Sequence, residues 1–341
     1  MTPRATAIVL NFDGAGVVEE AVESLLAQDQ ARQLEVVVVD NGSRDGSDLA
    51  LEGRYERRIR LIRTGRNLGF GGGNNAGIRA TGAEYVVLLN QDAVAAPTFI
   101  RELIAAADAH PEAGMVAPRV LDYRRRDVLD TVGHLLYPDG LNRGRGRLET
   151  DQGQYDGCRT ALFPSGAAAL YRRAMLDEVG LFDESFFLYG DDAELGLRGR
   201  LAGWGCALAP RAVAYHRYST AAGAYSSLKG FYVERNRLLL LLRLFPLPLI
   251  LLSPAYTAAR LTLHGWGALR GRGASGRLAR ERSIAHLLLL TLRAYASAAV
   301  AAPAILRERW RSRRLRRVGF GAFLRLLDEF RLTAREAALK D

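Results

Sequence analysis

Cysteine is scarce in this chain. Cys158 and Cys206 are the only two; they lie far apart and neither belongs to a CxxC pair. Neither a disulfide framework nor a cysteine-rich zinc site is suggested, and reduced, buried thiols of a cytoplasmic protein are expected. The opening MTPRATAIVLNF runs straight into a strand pattern without a charged region and long apolar core, so no signal peptide is expected. Also missing is a clean run of about 20 apolar residues, the length a spanning helix needs. Residues 238–252 are broken by Arg243, Pro246 and Pro248, and residues 284–306 by His286 and Arg293. A central arginine costs ~2.5–3.5 kcal/mol on insertion scales, so both stretches fit interfacial or re-entrant helices better than spans. No zinc finger, RNP or basic-zipper pattern accompanies the arginines, which argues against nucleic acid as a partner.

What is present is ordinary in amount and uneven in place. The 341 residues, 49% hydrophobic and 25% charged, suffice for one large or two smaller cores. The net charge of +10 belongs to the C-terminal third. From Leu238 onward there are 19 Lys+Arg against 6 Asp+Glu, and before it 28 against 31. Residues 307–317 hold seven arginines around Trp310. Near anionic lipid each adds ~1 kcal/mol of attraction, so this region is read as meeting a membrane surface. A helical bundle or a homo-oligomer interface is the plainer alternative.

The first half alternates strand and helix patterns. Residues 5–10, 35–39, 59–62 and 85–89 are short apolar runs, and 115–120 is another. Such alternation predicts a parallel, doubly wound α/β sheet, whose ligands bind beyond the carboxyl ends of the strands. Polar residues stand at those ends: Asn11 and Asp13, Asp40, Asn67, and Asn90, Gln91 and Asp92. One such loop is equally well a turn and helix cap; four on one edge point to a ligand. Gly71, Gly73 and Ala76 fit the dinucleotide pattern G-x-G-x-x-A, but after the third strand rather than the first. An NAD-dependent oxidoreductase is therefore the weaker reading. A glycine loop before a helix still lets backbone N–H groups approach a phosphate.

A second acidic site lies downstream, in FFLYGDDAELGLRGRLAGWGCALAPRAVAYH (186–216). Asp191, Asp192 and Glu194 open a helix pattern, where unsatisfied N–H groups and the positive dipole end keep a carboxylate ionised. That suits a base taking a proton from a hydroxyl; a solvated, capped helix start is the alternative. The basic segments 123–126 and 143–147 read as solvated surface, or else as an acceptor cleft for an anionic group. The small residues around Gly166 suit either packing or close approach of a donor sugar.

In order and spacing, VVVDNGSRDGS (37–47), GRNLGFGGGNNAGI (65–78), LLNQDA (88–93), PSGAAALYRRAMLDEVGLFDESFF (164–187), YGDDAELGLRGRLAGW (189–204) and HRYST (216–220) resemble glycosyltransferase family 2, whose members have the GT-A fold. The NLGFGGGNN loop is most similar to the rhamnosyltransferase-like branch, which uses dTDP-L-rhamnose or related donors. The resemblance implies an α/β GT-A catalytic domain, Rossmann-like with a mostly parallel sheet, over residues 1–237. Residues 238–341 would form an appended helical, basic and apolar region.

It further implies an inverting, metal-dependent transferase moving a sugar, with L-rhamnose foremost and a UDP-sugar as the alternative, to a cell-envelope or lipid-linked glycan. A non-catalytic glycan- or membrane-binding protein on the same scaffold is the rival. Asn11, Asp13, Asp40, Asn67, Gly69, Asn75, Gln91 and Asp92 would bind the donor, with Asp40 on the pyrimidine. Asp92 and His216 would hold Mg²⁺ or Mn²⁺ on the diphosphate, Asp192 would be the base, and Gly166, Tyr189 and Asp191 would face the acceptor. Asn90 departs from the family's first aspartate. The expected place of action is the cytoplasmic face of a membrane, peripheral or partly inserted.

Overall fold

The computed structural model describes residues 3–30, 33–217, 226–269 and 284–339. Tyr218, Ser219 and Thr220 of the HRYST motif lie outside them. The chain divides into two compact units, one of Met1–His134 with Gly144–Ala221 and the other of Leu135–Arg143 with Ala222–Asp341.

The first unit begins as the alternation requires. Strands β1 (Ala5–Asn11), β2 (Leu34–Asp40), β3 (Arg60–Arg63) and β4 (Tyr85–Asn90) run parallel in the spatial order β3-β2-β1-β4. Helices α1 (Val18–Leu26), α2 (Ser47–Tyr55) and α3 (Gly69–Arg79) make the connections. Val36 to Val39 and Val86 to Leu89 are all buried, which is why these strands read as continuous apolar runs rather than alternating ones. After β4 come β5 (Ala93–Ala95), α4 (Phe99–Ala109), β6 (Ala113–Asp122) and β7 (Leu129–Thr131), then the short paired strands β8 (His134–Leu136) and β9 (Asn142–Gly144). β10 (Ala168–Arg172), α5 (Arg173–Val179), α6 (Asp191–Leu201) and β11 (Gly205–His216) complete the unit.

The sheet is mixed rather than wholly parallel. β10 lies antiparallel between β4 and β6, β11 runs parallel to β6, and β5 closes the edge antiparallel to β11. β11 also extends well past the short run its apolar residues mark. Its pairing with β6 continues through an irregularity between Ala209 and Val213 as far as His216 opposite Asp122.

The glycine run corrects an expectation. It is not a loop ahead of a helix but the body of α3 itself. A Cβ on Gly73 would stand 2.3 Å from a Leu10 methyl, and one on Gly77 2.9 Å from Ile8. The glycines let the helix lie close on β1 and β2. Gly69, at φ +76°, has the Phe187 carbonyl where a Cβ would go, 2.2 Å away.

In the second unit, the leucine-rich residues 238–252 divide between α7 (Ser227–Leu244) and α8 (Leu247–Leu269), with Phe245 and Pro246 between them. Residues 284–306 form one unbroken helix, α9 (Ile284–Arg311), despite Arg293 and Pro303. Among the described residues one stretch, Ala285–Leu315, is long and apolar enough to cross a membrane, by length and composition. α10 (Phe320–Glu329) and α11 (Ala334–Leu339) follow. Leu136 exchanges backbone hydrogen bonds with Phe330 and Leu332, which ties the hairpin of residues 135–143 to this unit.

Its centre is a buried charge cluster. Arg260 Nε meets Asp139 at 2.8 Å and its Nη1 meets Glu234 at 3.0 Å. Arg237 Nε meets the other Glu234 oxygen at 2.7 Å and donates through Nη2 to the Tyr295 hydroxyl at 2.6 Å. Asp139 is fully buried, so removing it leaves two buried arginines, Arg237 and Arg260, sharing Glu234 as their carboxylate. Asp139→Ala is expected to cost about 3–5 kcal/mol in denaturant unfolding. A loss below about 1 kcal/mol would show that the cluster does not hold the unit together.

Candidate functional site

The site forms where the parallel strands end, and the carboxyl end of β4 is its hub. β1 pairs with β2 so that Asn11 stands beside Asp40, and with β4 so that Leu10 stands beside Asn90. Asn90 N donates to Ala167 O at 2.9 Å, which brings Gly166 to the same edge. Asp92 follows within two residues, and β5 sets His216 opposite Ala93. Three stretches distant in sequence thus converge around residues 90–93.

On the β1–β2 side the polar residues are cross-linked. Asn11 Nδ2 donates to Asp40 Oδ1 at 3.0 Å, Ser43 Oγ at 3.1 Å and Ser47 Oγ at 2.9 Å. Asp40 Oδ2 accepts from the backbone N–H groups of Gly42 and Ser43. The Asp13 carboxylate accepts from Arg44 N at 2.8 Å, and Gln91 clamps both backbone groups of Phe12. Asn11 Oδ1 is buried with no protein partner. A buried acceptor without a protein partner can accept from a donor supplied by a ligand or water. Asn67 is exposed and accepts from Gly69 N and from Asn41.

Asn75 has another occupation. It is buried, donates to Phe182 O and Glu184, and accepts from Phe182 N. In this structure it anchors the loop ahead of α6.

That loop carries the second acidic group. Phe187 (φ 62°) and Tyr189 (φ 63°) both sit in the left-handed region, followed by Gly190 at 80°. Non-glycine residues there cost roughly 1–3 kcal/mol each and tend to cluster at functional sites. Phe70 N holds the turn by donating to Phe187 O at 2.7 Å. Asp192, partly exposed, accepts from Gly166 N at 2.9 Å through Oδ2 and from Ala193 N at 2.8 Å through Oδ1.

Its neighbour Asp191 is buried with Oδ2 unpartnered. Burial, and then the charge of Asp192, push its carboxyl up to about 8. Burial therefore favours the neutral acid at Asp191. The buried Tyr171 hydroxyl near them is likewise without a partner and is held well above its usual range, first by burial and then by the Asp192 charge.

At the other wall, His216 Nε2 lies 3.3 Å from Asp92 Oδ1 and Nδ1 lies 2.7 Å from Asp130 Oδ2. Burial pulls the ring down, but the hydrogen bonds and charges of the two aspartates outweigh it and raise the ring to about 10. Among the described residues no group of three His, Cys, Asp or Glu is arranged to hold a metal by itself. One carboxylate and one imidazole do fit a Mg²⁺ or Mn²⁺ ion that takes its remaining ligands from a diphosphate and water. Neighbouring ligands of an octahedral ion at about 2.1 Å lie about 3.0 Å apart, close to the observed spacing.

Asp130 was not legible in the sequence, because it belongs to no motif and reaches His216 only through the β6–β7 pairing. Arg147, one of the basic residues read as surface, is mostly covered and paired to Asp130 at 2.7 Å.

The model of "Glycosyltransferase like family 2" matches residues 3–236. The chain belongs to glycosyltransferase family 2. The uncharacterized protein y4gI of Sinorhizobium fredii is 30% identical over 244 residues, 65% of this glycosyltransferase, which spans only 25% of that relative's length. The N-acetylglucosaminyl-diphospho-decaprenol L-rhamnosyltransferase of Mycobacterium tuberculosis is 30% identical over 220 residues, 56% of this chain and 69% of its own. A mannosyltransferase of Pyrobaculum calidifontis, solved with GDP-Man and Mn²⁺, superposes with a TM-score of 0.51 at 20% identity, covering 89% of this chain and 88% of its own. That likeness shows the GT-A-type fold.

Asp191 makes a testable contribution to stability. Its carboxyl ionises at 3.8 ordinarily and about 8 when folded. Between those values the folded state holds a proton that the unfolded state has lost, so native stability falls as pH rises through that window and levels off above it. Asp191→Asn removes the titration. The melting temperature of the variant should gain on the wild type progressively from pH 4 to pH 8. Parallel melting curves over that range would show Asp191 to be ionised in the native protein.

Proposed function

We propose that this glycosyltransferase moves L-rhamnose from dTDP-L-rhamnose, with inversion, to a lipid-linked glycan of the cell envelope at the cytoplasmic face of a membrane. The catalytic part is residues 1–237, and residues 238–341 form the membrane-contact region. The observation that carries the transfer reading is the convergence at the end of β4. An accessible carboxylate, Asp192, stands at one wall, and the Asp92–His216 pair at the other. The rhamnose assignment is supported by the NLGFGGGNN loop and by the relative that acts on N-acetylglucosaminyl-diphospho-decaprenol.

The donor nucleotide lies along the ends of β1 and β2, where Asn11 Oδ1 accepts from the base. Asp13 and Asp40, with Asn67, Gly69 and Gln91, shape and support that pocket. Asp92 and His216 hold Mg²⁺ or Mn²⁺ with the diphosphate. When bound, the cation neutralises the charge that builds on the leaving nucleoside diphosphate. Asp192 accepts the proton of the acceptor hydroxyl as its oxygen bonds to the anomeric carbon. The bond from that carbon to the diphosphate breaks on the opposite side, and the diphosphate leaves with the electron pair. Gly166 N orients Asp192 through the 2.9 Å hydrogen bond. Asp191 stays protonated beneath it, so that one negative charge rather than two faces the acceptor. Gly166 and Tyr189 border the acceptor side. A single base and no enzymatic nucleophile imply direct displacement.

Membrane contact is supported by the surface of the second unit. Leu251 and Leu252 are exposed on α8, and Leu288, Leu292, Val300 and Trp310 on α9, whose end carries Arg307, Arg309 and Arg311. Basic side chains beside exposed apolar ones fit an interfacial position.

The test is sugar release from a panel of nucleotide sugars, with Mn²⁺ or Mg²⁺ and with EDTA. Metal-dependent release of dTDP from dTDP-L-rhamnose is expected. Asp192→Asn should lower kcat roughly 10²–10⁴-fold while leaving donor affinity in place, and Asp92→Ala should weaken the metal-dependent release. Release from a UDP-sugar alone would overturn the rhamnose assignment. Full activity of Asp192→Asn would overturn the base.

A further inference from the structure

We propose that Asp130 is a positioning residue that fixes His216 in the orientation and tautomer that offers Nε2 to the cation held with Asp92. The inference rests on the metal reading given above.

The geometry is a chain of four side chains. Arg147 Nη1 lies 2.7 Å from Asp130 Oδ1, Asp130 Oδ2 lies 2.7 Å from His216 Nδ1, and His216 Nε2 lies 3.3 Å from Asp92 Oδ1. Asp130, His216 and Asp92 are all buried. A neutral imidazole has one N–H, and the two ring nitrogens compete for it. In the neutral ring, a carboxylate 2.7 Å from Nδ1 accepts from that position and would leave the Nε2 lone pair on the Asp92 side. Outer carboxylates of this kind raise the basicity of a ligating histidine and hold its ring plane. Arg147 in turn occupies the second Asp130 oxygen, so the carboxylate cannot rotate away without breaking an ion pair with little exposure on either side.

The backbone supplies the reason this contact exists. Asp130 sits in the middle of β7, whose Leu129 and Thr131 pair with Leu121 and Val120 of β6. His216 lies on β11, opposite Asp122 of the same β6. One strand therefore sets the positions of both the histidine and its carboxylate. Nothing in the transfer chemistry requires Asp130 to touch donor or acceptor, so its effect should run through His216 alone.

The experiment measures Mn²⁺ affinity of the full chain in the presence of dTDP, by the loss of the free-ion EPR signal, for wild type, Asp130→Asn, His216→Ala, Asp92→Ala and the Asp130→Asn/His216→Ala pair. Asp130→Asn is expected to weaken Mn²⁺ by 10–100-fold, and to add nothing once His216 is gone. Binding of dTDP in EDTA should be unchanged, which a general structural defect would not allow. Without any variant of Asp130, long-range ¹⁵N–¹H NMR of the wild type saturated with Mg²⁺ and dTDP should show His216, assigned by His216→Ala, protonated at Nδ1. The inference fails if Asp130→Asn keeps wild-type Mn²⁺ affinity while His216→Ala loses it. It also fails if Asp130→Asn weakens Mn²⁺ equally without His216, or if the ring proton is on Nε2. Unchanged affinity in both Asp92→Ala and His216→Ala would instead overturn the metal site itself.

Discussion

The candidate site depends on the antiparallel pairing of β10 with β4 inside an otherwise parallel run of strands. Asn90 N reaches Ala167 O across the β4–β10 junction, and with it an antiparallel strand enters a sheet that had been parallel. Parallel strands leave their carboxyl ends open on one side, because each crossover returns to the opposite end before the next strand begins. Inserting β10 backwards at that point feeds Gly166, and through it Asp192, into the opening beside Asp92. Without the reversal, the acidic helix start of α6 would have no route to the end of β4.

The two carboxylate systems are built by opposite physics. Asp191 is buried beside a like charge, and both effects favour its neutral form. Asp192 is partly exposed and accepts two backbone N–H bonds. Adjacent residues of one type thus sit in different surroundings, one enclosed and one reachable from solvent. On the other wall, His216 is enclosed by Asp92 and Asp130. Two carboxylates around one imidazole favour its protonated form, against the pull of burial.

The second unit shows how arginine serves two purposes in one stretch of chain. Arg237 and Arg260 are buried and bound to Asp139, Glu234 and Tyr295, where they organise helix packing. Others, such as Arg311, remain at the surface, paired only to Glu308 of the same helix. Buried ion networks cost desolvation that good geometry must offset; surface arginines keep their charge in water while their stems cover apolar side chains.

The amino-acid sequence by itself determined the strand–helix alternation, the strand ends that carry Asn11, Asp40 and Asp92, and the acidic start of α6. These are local patterns of period and turn chemistry, and they survive in any arrangement of the chain. It also carried the family resemblance, since the order and spacing of the motifs are linear properties. The tertiary structure alone decided which of those residues meet. It turned the glycine run from a phosphate loop into a helix pressed on β1, because a missing Cβ serves close packing as readily as close ligand approach. It gave Asn75 to a loop anchor, and it joined Asp130 and Arg147 to His216. Those last contacts span 86 and 17 residues and arise from strand pairing across β6. No local pattern encodes that pairing, because register between distant strands is set by the whole buried face rather than by any one residue on it.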